Sequence, residues 1–183
     1  KIKHQQMIKE LPPLGSIERH VQWCQDLESH LLASNPLAAA IGLRVNGYTA
    51  GRLELRLPAI DGTDSPELFA GAAFTLATLT GHGLIWLLAR SADLQVSIRL
   101  EQGQIWMEQA LQGEPLARAQ RGEVGVPLIK VLRAAGGGLV PAQVTIVGTD
   151  GGRWLFSGYY RVAVAGPFNL TAEEQKTQLG LGL

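Results

Sequence analysis

The sequence predicts an α+β fold in which a curved antiparallel sheet wraps one long central helix. Two observations predict it. Leu68 to Ala89 is a run of 22 residues with no Asp, Glu, Lys or Arg. On both sides of that run, apolar and polar residues alternate as they do along half-buried strands. Size agrees, since 183 residues suit one domain and 46% of them are hydrophobic.

The elements follow in chain order. Ile17, Val21, Cys24, Leu27 and Leu31 stand at helical spacing, so residues 17–33 read as a helix. Asn35-Pro36 breaks it, and Leu37 to Ile41 makes a short second turn of helix. Ile41, Leu43 and Val45 alternate with polar or small residues, as do Leu53, Leu55 and Leu57. These are two strands joined by a turn around Thr49-Ala50-Gly51. The long helix is expected from near Pro66 to near Ala89. Pro66 suits a first turn, Ser65 or Asp64 suits a cap, and Glu67 and Arg90 complement the helix dipole. Such a helix exceeds roughly 30 Å at 1.5 Å per residue.

After the helix, Val96, Ile98 and Leu100 alternate with Ser97 and Arg99, and Ile105 to Leu111 continues in strand style. Gln112-Gly113-Glu114-Pro115 is a turn, and Leu116 to Gln120 another strand. Val124 to Ala135 reads as a short helix ended by Gly136-Gly137-Gly138. Two long strands follow, roughly Val140–Val147 and Arg153–Val164, with Asp150-Gly151 in the hairpin between them. The expected organisation is a helical extension over 1–34, one sheet-and-helix domain over 35–165, and a frayed tail over 166–183.

Composition narrows the function classes. Sixteen Lys and Arg balance sixteen Asp and Glu, giving zero net charge and no electrostatic grip on nucleic acid or anionic lipid. The uncharged run is long enough for a membrane span. Its threonines, His82 and three glycines, and the lack of flanking Lys and Arg clusters, favour a buried core helix instead. The lone Cys24 provides neither a disulfide nor a cysteine zinc cluster, and it fits a cytoplasmic setting. Phosphate-loop, HExxH and GxSxG motifs are absent. The histidines His4, His20, His30 and His82 are too dispersed to argue a metal site, and no cofactor is expected. His82, deep in the apolar helix, reads as a hydrogen-bonded core or interface residue rather than a catalytic base.

The acidic residues Asp61, Asp64 and Glu67 lead into the long helix. Backbone N–H groups at its start, near Phe69, Ala70 and Gly71, lack intrahelical acceptors. They can hold a carbonyl oxygen or a developing oxyanion, and Gly71 has no side chain to block the approach. A carboxylate near that positive dipole stays ionised at neutral pH, which suits a base that activates water. The plainer reading is charge complementation of the helix end.

Three stretches carry a family resemblance. Asn35-Pro36-Leu37-Ala38-Ala39-Ala40-Ile41-Gly42-Leu43-Arg44-Val45 is the first. The second is Phe69-Ala70-Gly71-Ala72-Ala73-Phe74 with Gly81-His82-Gly83-Leu84-Ile85-Trp86, and the third is Gln104 to Glu114. Together they resemble the YiiD C-terminal-type thioesterase family, a hot-dog fold. The resemblance implies hydrolysis of acyl thioesters on coenzyme A or acyl carrier protein. It also implies a homodimer with sites at the interface. The loop from Asp61 to Ala72 departs from the family's Asn, Asn-His, Gly-Thr-x-Phe-Gly-Gly-Ser pattern and retains only Phe69 and Gly71. Glu67 and Asp64 are the candidate bases, and Phe69, Ala70, Gly71 and Asp61 the candidate substrate-binding residues. The alternative is a catalytically degenerate hot-dog protein that binds a ligand or serves assembly.

Overall fold

A computed structural model describes residues 17–58 and 69–167. Four helices, α1 (Ile17–Ser34), α2 (Pro36–Ala40), α3 (Ala70–Ser91) and α4 (Arg121–Ala135), accompany six strands. The strands are β1 (Arg44–Thr49), β2 (Arg52–Arg56), β3 (Leu94–Met107), β4 (Leu116–Gln120), β5 (Gly137–Val147) and β6 (Arg153–Pro167). They form one sheet in the order β1-β2-β4-β5-β6-β3, with every neighbouring pair antiparallel. The sheet wraps α3, as the sequence predicts.

Local chemistry sets the boundaries. Pro36 starts α2, and the Asn35 side chain caps it by accepting from the N–H groups of Leu37 at 3.0 Å and Ala38 at 3.4 Å. The β1–β2 turn places both central residues in the left-handed region, Ala50 at φ 51° and Gly51 at φ 76°. That geometry matches the twist of a two-residue hairpin. Gly136 ends α4 at φ 65°, with its N–H on the Leu132 carbonyl. Gly137 and Gly138 then enter β5, which therefore starts earlier than expected. A β-carbon on Gly137 would lie 2.6 Å from the Val162 carbonyl oxygen, so the close pairing with β6 needs glycine there.

Two expectations are corrected. The long helix starts at Ala70, not near Pro66, and ends at Ser91. Phe69 has extended backbone (φ −63°, ψ 128°), and its carbonyl accepts the first helical bond from Ala73 at 3.1 Å. The first turn holds no acidic residue, Glu67 lies outside the described residues, and Arg90 stands in the last turn as expected. The second correction concerns the end of β3, which stops at Met107 rather than continuing to Leu111. A bulge at Glu101 shifts its register against β6 between Leu100 and Gln102. Inward residues therefore fall on even numbers before it (Val96, Ile98, Leu100) and odd numbers after it (Gly103, Ile105), which breaks the alternation. Arg161 grips the Glu101 carboxylate through Nε and Nη2, and together with Arg99 holds its pKa below the usual range.

The core is built around α3, which is buried from Ala73 to Ala89 except for Phe74 and the part-exposed stripe of Thr75, Thr78, His82 and Trp86. By length and composition α3 could cross a membrane, but most of it is buried within this fold. Its glycines mark where other elements come closest. A β-carbon at Gly81 would lie 2.5 Å from the Tyr160 hydroxyl of β6, which donates to the Thr78 carbonyl at 2.8 Å. A β-carbon at Gly83 would meet Leu53 of β2 at 3.1 Å and Leu27 of α1 at 3.2 Å. Leu27 and Leu31 are fully buried, so α1 belongs to the same core. It also shields β1, since the Glu28 carboxylate accepts from the Val45 N–H at 2.8 Å and from Arg44 at 3.1 Å.

Candidate active site

Among the described residues no side chain caps the N-terminus of α3. The first helical bond runs from the Ala73 N–H to the Phe69 carbonyl, so the N–H groups of Ala70, Gly71 and Ala72 have no intrahelical acceptor. Phe69 is 72% exposed, and its ring lies against Gly71. A β-carbon on Gly71 would sit 2.5 Å from that ring. The space beside Gly71, expected to be open, is therefore occupied by Phe69. The aromatic ring folds back over the helix end, and a side chain at Gly71 would displace it.

One turn further, an apolar wall continues from the same helix end. Phe74 packs edge-on against Phe156 of β6, with ring centroids 5.5 Å apart and planes at 79°. Both rings crowd Gly103 of β3, where a β-carbon would lie 3.0 Å from each. Gly103 pairs with Gly158 and Ile105 with Phe156 across the β3–β6 ladder. Thus the two strands present small and apolar groups beside the first turns of α3. Thr75 returns its hydroxyl to the Gly71 carbonyl at 2.9 Å and is not available at the helix end.

Of the predicted site residues, the structure brings Phe69, Ala70 and Gly71 together at the helix end. Asp61, Asp64 and Glu67 lie outside the described residues, as do Ser65 and Pro66. A concavity of about 1090 Å³ lies elsewhere, on the sheet face turned from α3. Arg52, Arg118, Gln143 and Trp106 are among its lining residues, and Glu54 binds both arginines, at 3.1 Å and 2.9 Å. Among the described residues no group of three or more His, Cys, Asp or Glu is placed to hold a metal.

His82 sits twelve residues into α3, about 18 Å from Ala70 along the axis. It faces α1. Its Nε2 lies 3.5 Å from the His30 Nε2, and the ring centroids are 5.7 Å apart. An imidazole nitrogen lies just over 1 Å from its ring centre, so those two distances require the rings to meet nearly end to end, nitrogen toward nitrogen. The seam continues down both helices. His30 stacks on Trp86 at 5.2 Å, Arg90 covers the other part of Trp86 at 5.1 Å, and Asp26 binds Arg90 at 2.5 Å. Burial, and to a lesser extent the neighbouring His30, push the His82 pKa down to about 4. His30 is lowered by burial as well. Both rings are neutral at pH 7 and hold α1 on α3, which agrees with His82 as a packing residue. The sequence analysis missed His30 as its partner. The signal was a spacing of four on both helices, Asp26 and His30 against His82, Trp86 and Arg90.

A curved six-stranded antiparallel sheet around one apolar helix, with an open helix end beside an aromatic wall, defines a hot-dog protein of the thioesterase kind. The chain belongs to the family described as "Putative thioesterase (yiiD_Cterm)", whose model matches residues 24–163. It is similar to the crystal structure of a protein from Shewanella oneidensis titled a "putative thioesterase". Identity is 19%, the match covers 78% of this chain and 98% of that one, and the TM-score is 0.66. A Chlorobaculum tepidum protein of unknown function has 15% identity and a TM-score of 0.69, over 79% of this chain and 96% of that one. A Haemophilus influenzae thioesterase has 15% identity and a TM-score of 0.57, over 81% and 94%. At these identities the structures show the shared fold.

The histidine seam makes stability fall with acid. His82 titrates near 6.5 when unfolded and about 4 in the fold. Between those values the unfolded chain binds more protons, so the stabilisation is complete above the unfolded pKa and is lost as pH falls toward the folded one. The loss should reach roughly 2 kcal/mol once partial exposure is allowed for. Urea unfolding between pH 7 and pH 4 should show this slope, and His82→Gln should flatten it. An unchanged slope in His82→Gln would assign acid sensitivity to other groups.

Proposed function

We propose that the protein hydrolyses acyl thioesters carried on coenzyme A or acyl carrier protein. The observation that supports this reading is the side-chain-free N-terminus of α3 at Ala70 and Gly71, beside the Phe74–Phe156 wall. The thioester carbonyl oxygen accepts from those N–H groups, and the acyl chain lies along the aromatic wall. Glu67 or Asp64 removes a proton from water, whose oxygen attacks the carbonyl carbon. The oxyanion is held by the helix N–H groups and dipole until the C–S bond breaks. The thiolate leaves with the sulfur electron pair and takes up a proton. Phe69 must slide off Gly71 as the carbonyl enters, which makes its ring part of the entrance.

The reading includes a homodimer. β3 pairs only with β6 in the described sheet, so alternate residues along this fourteen-residue strand turn backbone donors and acceptors to its other edge. Two copies joined along β3 would bring their α3 ends to a shared surface. Light scattering at low micromolar concentration should give twice 19.6 kDa. A clean monomer would remove the shared-site geometry.

A second reading, a degenerate hot-dog protein that binds or assembles without catalysis, is favoured by the altered 61–72 loop and the ring over Gly71. Free-thiol release from a panel of acyl-CoA substrates separates the two. On the hydrolase reading, Glu67→Gln or Asp64→Asn lowers kcat by ~10²–10⁴ with KM little changed, because a positioned base is lost and binding is not. Stability should change by less than about 1 kcal/mol. Release in the wild type with full activity in both variants would eliminate the acidic loop as the base. No release from any substrate would favour the second reading.

A further inference from the structure

We propose that the cleft between α1 and β1 is a separate binding site for a monocarboxylate on an apolar body, held by the Tyr48 hydroxyl and the His20 imidazole. The cleft has a volume of about 610 Å³, within the range of small-molecule sites. His20, Cys24 and Glu28 line it from α1, and Val45, Tyr48 and Ala50 from the β1 side. It lies along the β1 edge of the sheet, at the opposite end of the strand order from β3. The inference is independent of the hydrolase reading.

Two unpaired polar atoms carry it. Tyr48 is only 4% exposed, yet its hydroxyl is buried without a hydrogen-bond partner. The His20 Nε2 is buried and unpartnered as well. The rings belong to different elements and meet edge to face, with centroids 5.8 Å apart and planes at 80°. An orphaned buried polar group costs ~1–3 kcal/mol, so two on one cleft wall point to a ligand that completes them.

The chemistry of the wall selects the ligand. Burial pushes the Tyr48 hydroxyl up while the Arg121 charge pulls it partly back, so it remains an O–H donor at neutral pH. His20 in its Nε2–H tautomer is a second donor. Two donors on neighbouring rings 5.8 Å apart suit the two oxygens of a carboxylate better than the single oxygen of a neutral carbonyl. The remaining charge is engaged, since Glu28 accepts from Val45 N–H and Arg44. Burial also pushes the Cys24 thiol up, which keeps it neutral. Val21, Val45 and Ala50 then leave an apolar surface for the body of the ligand. A phosphate dianion would find too few donors there.

Octanoate is the probe, with octanamide as the neutral control, titrated into the full chain while amide NMR shifts are followed at residues 45–50. Saturable shifts there are expected with octanoate. Tyr48→Phe and His20→Gln should each weaken the binding by roughly tenfold, and octanamide should bind about tenfold more weakly, as loss of one hydrogen bond to a charge implies. Ligand-free Tyr48→Phe should melt no lower than wild type, because the hydroxyl it removes is unpaired. Glu67→Gln should bind octanoate as wild type does, so failure of the hydrolase reading leaves this result standing. Absence of local shifts, affinity unchanged in Tyr48→Phe, equal binding of octanamide, or a lowered Tm in ligand-free Tyr48→Phe would each overturn the proposal.

Discussion

The structure depends on covering a helix that is apolar over most of its circumference. Beyond its ends and Phe74, only the narrow stripe Thr75, Thr78, His82, Trp86 and Arg90 of α3 is part-exposed, so partners must close on the rest of the helix. β5, β6 and β4 cover one side, and α1 closes another through Leu27 and Leu31. Close approach is possible because glycine stands at the tightest points. Tyr160 crosses α3 over Gly81, and its buried hydroxyl stays protonated and donates to the Thr78 carbonyl. Leu27 and Leu53 converge over Gly83. Side chains at these two positions would hold the sheet and α1 away and open voids along the core.

The same arrangement separates a locked end of α3 from an open one. Toward the C-terminus, Arg90, Trp86 and His82 are tied to Asp26 and His30 on α1. Toward the N-terminus, no described side chain caps the helix, and the exposed Phe69 ring leans on Gly71. The fold thus supplies rigidity at one end and unpaired N–H groups at the other. Unpaired N–H groups at the end of a fixed helix are the feature that acyl-transfer chemistry can use.

Much of this was legible from residue patterns. The uncharged run gave the helix, alternation gave the strands, and Asn35-Pro36, Thr49-Ala50-Gly51 and Asp150-Gly151 marked the turns, all of which depend on local chemistry. Errors arose where the deciding contact is distant. Glu101 looks like an ordinary outward residue until β6 pairs beside it, and the bulge there reverses which residues of β3 face the core. Pro66 and Glu67 made a plausible helix start, but the backbone of Phe69 is extended and the helix begins after it. The pairing of His82 with His30 spans 52 positions. Of the site, Phe69, Ala70 and Gly71 were found from the helix end. The ring over Gly71 was not, since adjacency in sequence does not specify a rotamer.

The claim that close approach at Gly81 fixes the sheet on α3 is tested most directly by urea unfolding of Gly81→Ala beside Gly122→Ala. Both changes favour helix, by up to about 1 kcal/mol at an interior position. Gly122 has nothing within 4 Å of a new β-carbon, so its variant should be as stable as wild type or slightly more stable. At Gly81 the new carbon meets the Tyr160 hydroxyl and strains its bond to Thr78, so stability should fall by about 1–3 kcal/mol. A Gly81→Ala protein more stable than wild type would contradict the claim, because helix propensity alone would then decide the outcome.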